Sequence, residues 1–507
     1  MNKKNAYIAL ALILLLGSFL RIYGLGNESF WLDESYTAKS VEFTVSDLIM
    51  MTYKNSTILP QYFGKGAGSV PFYYILTNYW TKLFGLSEFK LRLLSAIFGI
   101  FSIYLTYLLG KSLFNYETGL ASAFVLSINH QHIFFSQEAR MYSMLIALAL
   151  LSTLFLLSSL KTNKSIYWAA FVVSDALLLY IHPFSFFILL FQGLFILICW
   201  KKYKAVFKKM LISGLAIFLI YLPWVPALFN QLSYGTPIGK VYGRPALSQL
   251  IVNLVQFNSW ISQDIGTRAA LRTMSFSELS FSAWMVILSV VIIVMLLGLA
   301  FIFGIINLVN KKNNLKLILL LLWFSIPIFV PFLISIVSPK NAVFSSVRYL
   351  LFASLPYYII AALGISNMKR KPLFLILLVI SSIFPLYAYY ANFDKQQFRE
   401  AAAYIVTNRS PDEYVFIHKS NIILPFSYYH HDLTNTLSIE DLNQLKSNLE
   451  GKHAFWIMLS MEKFSDPQGT IKQYLDSNYM LAKKTEFVDI KIFYYKNAKY
   501  QKNKEVL

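Results

Sequence analysis

Runs of about 20 apolar residues recur along this chain, each long enough to cross roughly 30 Å of hydrocarbon. They fall at 6–22, 70–85, 88–110, 117–135, 139–160, 165–181, 183–200, 208–229, 281–309, 315–337, 346–367 and 372–391. In lipid every backbone N–H and C=O needs a partner within the protein, so runs of this length are helices. Composition agrees: of 507 residues, 57% are hydrophobic and only 14% charged, with a mean hydropathy of +0.54. No soluble domain of ordinary composition looks like this. The chain reads as a polytopic α-helical membrane protein. Lys3 and Lys4 precede the first run, as in a signal peptide. That run lacks a small-residue cleavage site and continues into Arg21, so it is expected to stay as the first span. Cys199 is the single cysteine, so no disulfide forms within the chain.

Charge sets the topology. The net charge is +20, yet residues 392–507 hold 15 Lys/Arg against 14 Asp/Glu. The basic excess therefore belongs to the membrane part and reads as cytoplasmic loop charge, not as a nucleic-acid surface. If 70–85 crossed, Lys111, Lys161/Lys164, the 201–209 cluster, Lys311/Lys312 and Lys369/Arg370/Lys371 would all lie opposite the Lys-bearing N-terminus. If it does not cross, all of them lie on the N-terminal side, as the positive-inside rule requires. The expectation is about eleven spans, with the N-terminus cytoplasmic and the C-terminus outside. Segment 70–85, with Tyr73, Thr77, Thr81 and Asn78 on one side, becomes an interfacial helix in a first outer loop at 23–87. A second long outer loop covers 230–280. Residues 1–391 form the membrane domain. Residues 392–507 have soluble character: helix-like runs (398–409, 439–450, 469–477) alternate with strand-like ones (414–418, 454–460, 491–495), which argues a small extracytoplasmic α/β domain.

This topology gathers the distinctive polar residues on the outer side. Asp33 and Glu34 sit between Trp31 and Tyr36 just after the first span. Adjacent acids beside a membrane are costly to place and mark a functional site, unless they are simply a solvated loop. Glu138, Arg140 and Tyr142 open one span, His182 sits in a turn between two others, and Arg348 and Tyr349 open a further one. Such a set suits transfer from an anionic lipid carrier. Arginine grips phosphate oxygens, with Arg348, Arg140 and Tyr349 as the carrier-binding candidates. A carboxylate among Asp33, Glu34 and Glu138 serves as base for an acceptor hydroxyl. Asp33 and Glu138 could instead hold a divalent metal through oxygen ligands. His182, Tyr142 and Lys65 are further candidates. The plainer alternatives are a snorkelling Arg348, a local Glu138–Arg140 ion pair and a structural His182. Asp175, an acid within a span, fits neither picture.

The motifs resemble the GT-C membrane glycosyltransferases, of the glycosyltransferase family 39-like group that includes protein O-mannosyltransferases and aminoarabinose transferases. The resemblance lies in LRIYGLGNESFWLDESYT, VPFYYILTNYWTKLFGLSEFKLRLLSAIFG, FFSQEARMYSM, YIHPF and SSVRYLLFASLPYYIIA, with FREAAAYIVTNRSPDEYVF in the tail. It implies inverting transfer of a sugar from a polyprenyl-phosphate carrier to an extracytoplasmic acceptor, in glycosylation of the cell envelope. Asp33 matches the first-loop aspartate that acts as base or orients the acceptor. Glu34 matches its acidic neighbour, Glu138 and Arg140 the second-loop pair, and Arg348 the arginine at the carrier phosphate. Two departures stand out: Ser69–Val70–Pro71 where the family has HPP, and Phe398 where it has tryptophan. Two other readings stay open at this point: a ligase or polymerase acting on lipid-linked oligosaccharide, and a transporter or flippase. The plasma or inner membrane is the expected location.

Overall fold

The computed structural model describes residues 2–54, 71–233, 244–259, 280–338, 344, 347–392 and 395–497. Helices occupy every one of the twelve apolar segments. Among the described residues seven are long and apolar enough to cross a membrane: Lys3–Ile22, Glu88–Leu113, Tyr142–Thr162, Trp200–Phe229, Phe281–Asn310, Asn314–Val337 and Lys371–Ala391. Ser165–Leu179, Ser185–Ile198 and Leu351–Ser366 are shorter apolar helices. The outward faces of these helices are bare hydrocarbon, as at Leu215, Met295 and Ile376. In water such a surface would aggregate; in lipid it needs no cover. The chain is an integral membrane protein.

Segment 117–135 is broken. Helix Tyr116–Ile128 ends at Asn129, whose extended backbone starts helix His130–Ser136. The Asn129 carboxamide caps the new helix at His132 N–H (3.1 Å) and donates to the Phe257 carbonyl (2.9 Å). It thereby fixes helix Leu247–Asn258. Leu351–Ser366, the helix that follows Arg348, is buried along nearly its whole length. A Cβ added at Gly364 would lie 1.9 Å from the Ala300 carbonyl, and one at Gly304 2.0 Å from that of Ile360. Only glycine permits this backbone-to-backbone crossing. Asp175 finds its place within the bundle. It accepts from Ser152 Oγ, which accepts in turn from Gln192 Nε2 (2.7 Å), so three helices are tied by one polar chain.

Segment 70–85 folds as helix Phe72–Phe84. Its polar side faces inward: Tyr73, Thr77 and Asn78 are buried, while Leu83 and Phe84 are exposed. Asn78 Nδ2 donates to the carbonyls of Val41 and Phe43, pinning the end of helix Leu32–Ser40.

The tail forms a five-stranded sheet in the order β2-β1-β3-β5-β4. The strands are β1 (Tyr414–His418), β2 (Thr436–Ile439), β3 (Ala454–Ser460), β4 (Met480–Phe487) and β5 (Ile490–Lys496). β1 pairs in parallel with β2 and β3, while β5 is antiparallel to both β3 and β4. Helices Phe398–Asn408, Ile423–Tyr429, Leu442–Leu449 and Thr470–Asn478 connect or cover the strands. One of the sheet's two hydrophobic clusters includes Leu32 alongside Phe398, Ile417, Trp456 and Met458. The tail is therefore packed onto the first-loop helix that carries Asp33.

Candidate active site

Helix Leu32–Ser40 turns its two adjacent acids in different directions. Consecutive helical side chains diverge by about 100°, so they do not share a face. Asp33 remains one-quarter exposed and meets Arg348, 315 residues away, through Nη1 to Oδ2 at 2.7 Å. Arg140 reaches the same spot, with Nη1 donating to the Asp33 carbonyl (3.1 Å) and to the Tyr74 hydroxyl (2.9 Å). The Nε–H groups of both arginines are buried and have no hydrogen-bond partner among the described residues. The Arg348 guanidinium also lies 5.1 Å from the centre of the Tyr349 ring. That ring packs against His182 (5.3 Å), Phe184 (5.2 Å) and Tyr142 (6.3 Å).

His182 accepts the Phe184 amide at Nδ1 (3.1 Å), so the neutral ring carries its proton on Nε2. Burial, reinforced by Arg140 and Arg348, lowers its pKa to about 3 and keeps the ring neutral. Burial, then the Asp33 charge, raises the Tyr36 phenol to about 12.

Glu34 faces the other way and is fully buried. Arg92 holds it in a two-point grip, Nε to Oε1 at 2.8 Å and Nη2 to Oε2 at 2.7 Å. The Ala139 amide (2.8 Å) and Lys395 Nζ (3.4 Å) also donate to Oε1. Burial alone would raise this carboxyl, but Arg92 and Lys395 outweigh it and hold it down at about 2. The remaining Arg92 protons go to the carbonyls of Leu25, Glu28 and Ser29, so the loop before Asp33 wraps around this guanidinium. Glu138 lies between the two clusters. It is 1% exposed and its Oε2 has no partner among the described residues. Burial raises its carboxyl well above the ordinary carboxylate range against the pull of Lys395, which favours the neutral form.

The structure thus brings Asp33, Arg140, Tyr142, His182, Arg348 and Tyr349 into one cluster, with Glu138 behind it and Glu34 in a closed network beside it. Lys65 lies outside the described residues. No group of three or more His, Cys, Asp or Glu side chains that could hold a metal occurs among the described residues. His132 is engaged with Ser354 Oγ (3.0 Å), and His130 packs its ring against Tyr389.

Sequence reasoning passes over Tyr74, Lys395 and the inward face of helix Leu247–Asn258. On that face Asn253 and Gln256 are each 1% exposed, and all their amide atoms lack partners among the described residues. The helix touches the short turn that bears Arg348. Its apolar residues Leu247, Ile251 and Leu254 point outward. The signal was there to see: Asn253 and Gln256, three residues apart, share a helical face while Leu247, Ile251 and Leu254 fall on another, and it is the polar face that turns inward, the inverse of a soluble amphipathic helix.

Residues 69–229 match the family model described as dolichyl-phosphate-mannose-protein mannosyltransferase. In three dimensions the chain resembles the apo oligosaccharyltransferase of Archaeoglobus fulgidus, with a TM-score of 0.55 and 13% identity over 98% of this chain and 75% of that one. It also resembles oligosaccharyltransferase AglB from the same organism, in complex with an inhibitory peptide and a dolichol-phosphate. There the TM-score is 0.53 and identity 13%, over 98% and 74%. Apo ArnT from Cupriavidus metallidurans gives a TM-score of 0.47 and 10% identity over 97% and 98%. No curated protein matches the chain in sequence. Residues 69–229 thus match a mannosyltransferase-type family model, and the fold is one that the chain shares with solved oligosaccharyltransferases. The expected resemblance, the polytopic helical fold with a C-terminal α/β domain and the glycosyltransferase class are borne out.

Proposed function

We propose that this protein transfers a monosaccharide, with inversion, from a polyprenyl phosphate to a hydroxyl acceptor on the extracytoplasmic face. The observation that carries this reading is the Asp33–Arg348–Arg140 cluster. Two arginines with unused Nε–H groups face one carboxylate, at the mouths of spans where a lipid phosphate would lie. Burial of Glu138 favours its protonated, neutral form, which leaves that mouth net positive.

Without carrier, Asp33 and Arg348 satisfy each other. An arriving carrier phosphate competes for Arg348 and frees the Asp33 carboxylate. The acceptor oxygen then attacks the anomeric carbon, and its bond forms as the bond to the phosphate oxygen breaks. The phosphate leaves with the electron pair, held by Arg348 and Arg140, and Asp33 takes the hydroxyl proton. Tyr349, packed against both His182 and Phe184, walls the site. Asn253 and Gln256 offer paired donors and acceptors to the hydroxyls of the sugar. Glu34 does not touch substrate in this scheme; with Arg92 it fixes the loop from which Asp33 projects. The scheme assumes eleven spans with residues 392–497 outside, in the plasma or inner membrane.

A carrier of this class fits the family match, and the solved AglB complex contains a dolichol-phosphate. The test uses purified protein in detergent with radiolabelled polyprenyl-phosphate sugars, with and without EDTA. Carrier-dependent sugar release that disappears in Asp33→Asn is expected. No release from any monosaccharide carrier would overturn the reading in favour of an oligosaccharide ligase or a transporter. EDTA sensitivity would bring a metal at Asp33 and Glu138 into the scheme.

A further inference from the structure

Helix Leu32–Ser40 has no cap of its own. Its N-cap residue, Trp31, carries no side chain that can accept from the first-turn amides. Four such amides open every α-helix and need acceptors. The acceptor comes from the far end of the chain: Gln396 Oε1 takes the Leu32 N–H at 3.2 Å, across 364 residues of sequence. Gln396 is 3% exposed and every other polar group on its side chain is also engaged. Its Nε2 donates to Ser460 Oγ at the carboxyl end of β3 and to Asp489 Oδ2 at the head of β5, both at 3.3 Å. Its backbone carbonyl accepts Ser29 Oγ at 2.7 Å.

Neighbouring contacts act in the same direction. Lys395 Nζ bridges Glu34 and the Gln137 carbonyl (2.8 Å), and the Lys395 amide donates to Glu28 Oε1 (3.2 Å). The Tyr429 hydroxyl accepts the Phe30 N–H at 2.6 Å and donates to Glu88 at 2.9 Å. Residues 28–34 are thus held on one side by Arg92 of the membrane domain and on the other by the tail.

We propose that Gln396 is a positioning residue for Asp33, and that the C-terminal domain is a working part of the catalytic centre through it. Gln396 caps the Asp33 helix in place of the missing local cap and references it to the end of the sheet. It does not touch substrate. This inference rests on the assignment of Asp33 to the reaction made above. It goes further in giving the soluble domain a duty in turnover and not only in acceptor capture.

The experiment compares full-length wild type, Gln396→Ala, the double variant Gln396→Glu with Asp489→Asn, and Ser29→Ala in detergent. Two readouts are taken: kcat and donor KM for sugar release, and amide hydrogen exchange in the peptide covering residues 28–40. The double variant Gln396→Glu with Asp489→Asn keeps the acceptor for Leu32 N–H and reverses donor and acceptor across the 3.3 Å contact between positions 396 and 489, so no two carboxylates meet. Gln396→Ala removes that acceptor. The expected result for Gln396→Ala is a kcat about 10-fold lower with donor KM within about 2-fold of wild type. Exchange at 28–40 should quicken, and the double variant should restore both toward wild type. Ser29→Ala should give a smaller kcat loss in the same direction, which keeps the idea testable if Gln396→Ala fails to fold. Unchanged exchange and kcat in Gln396→Ala would overturn the proposal. So would an equal loss in Gln396→Ala and in the double variant. The exchange readout needs no turnover. If the wild type releases no sugar at all while exchange responds as expected, the failure belongs to the function and not to the cap.

Discussion

Asp33 and Glu34 are neighbours in sequence with opposite situations. Asp33 is part-exposed, with one ionic partner contributed by a distant span, and the arginines around it keep donors in reserve. Glu34 is sealed, and four donors from three separate segments converge on its two oxygens. The lesson is about where strength is placed. A buried ion pair with every lone pair satisfied is rigid and cannot exchange partners without a large desolvation cost. A half-open pair is weak and can be displaced by a ligand. One turn of helix therefore supplies both the fixed post and the exchangeable group.

The comparison breaks most visibly if the two acids are neutralised one at a time. Asp33→Asn is expected to lower sugar-transfer turnover by about 10²- to 10⁴-fold, while the thermal midpoint in detergent barely moves. Glu34→Gln should do the reverse in kind. It leaves Arg92 and Lys395 as uncompensated buried charges and should cost about 3–5 kcal/mol of stability. Turnover measured on the folded fraction should fall less than in Asp33→Asn. If the two variants lose activity and stability in the same proportion, the division of labour drawn here is wrong.

A smaller effect sharpens the same contrast. Because the Asn253 and Gln256 amides have no partner among the described residues, truncating them removes a desolvation penalty. Asn253→Ala and Gln256→Ala should leave the thermal midpoint unchanged or raised, yet increase donor KM about 3- to 10-fold each. A fall in the midpoint with unaltered KM would make them structural residues.

Much of this molecule was legible from sequence because lipid enforces strong rules. All twelve apolar runs are helices, and the tail's strands at 414–418 and 454–460 stand where alternation placed them. What escaped did so for identifiable reasons. β4 (MLAKKTEF) is an exposed edge strand whose lysines and glutamate protect it from pairing, so its pattern is not that of a buried strand. β2 has only four residues, and the run at 439–450 splits because Asp441 caps a helix that starts at Leu442. In the site, Asp33, Arg140 and Arg348 carried motif signals. Lys395 and Gln396 did not, because their importance comes from docking across more than 360 residues, and no local pattern encodes a partner that far away.

A last contrast lies in pH response, and it separates Glu34 from Glu138. Glu34 has a folded value near 2 against an ordinary 4.5. Its contribution to stability is therefore complete above about pH 4.5 and is lost as pH falls toward 2. Glu138 has a folded value near 8 against the same 4.5. The folded chain keeps a proton that the unfolded chain gives up, so stability from this group declines as pH rises from 4.5 and levels off above 8. Unfolding midpoints in detergent across pH 4 to 9 should show that decline in wild type, and Glu138→Gln should flatten it without touching the acid side. An identical slope in Glu138→Gln would mean that Glu138 is already ionised in the folded protein. The mouth beside Arg348 would then carry one more negative charge, and the case for a phosphate there would weaken accordingly.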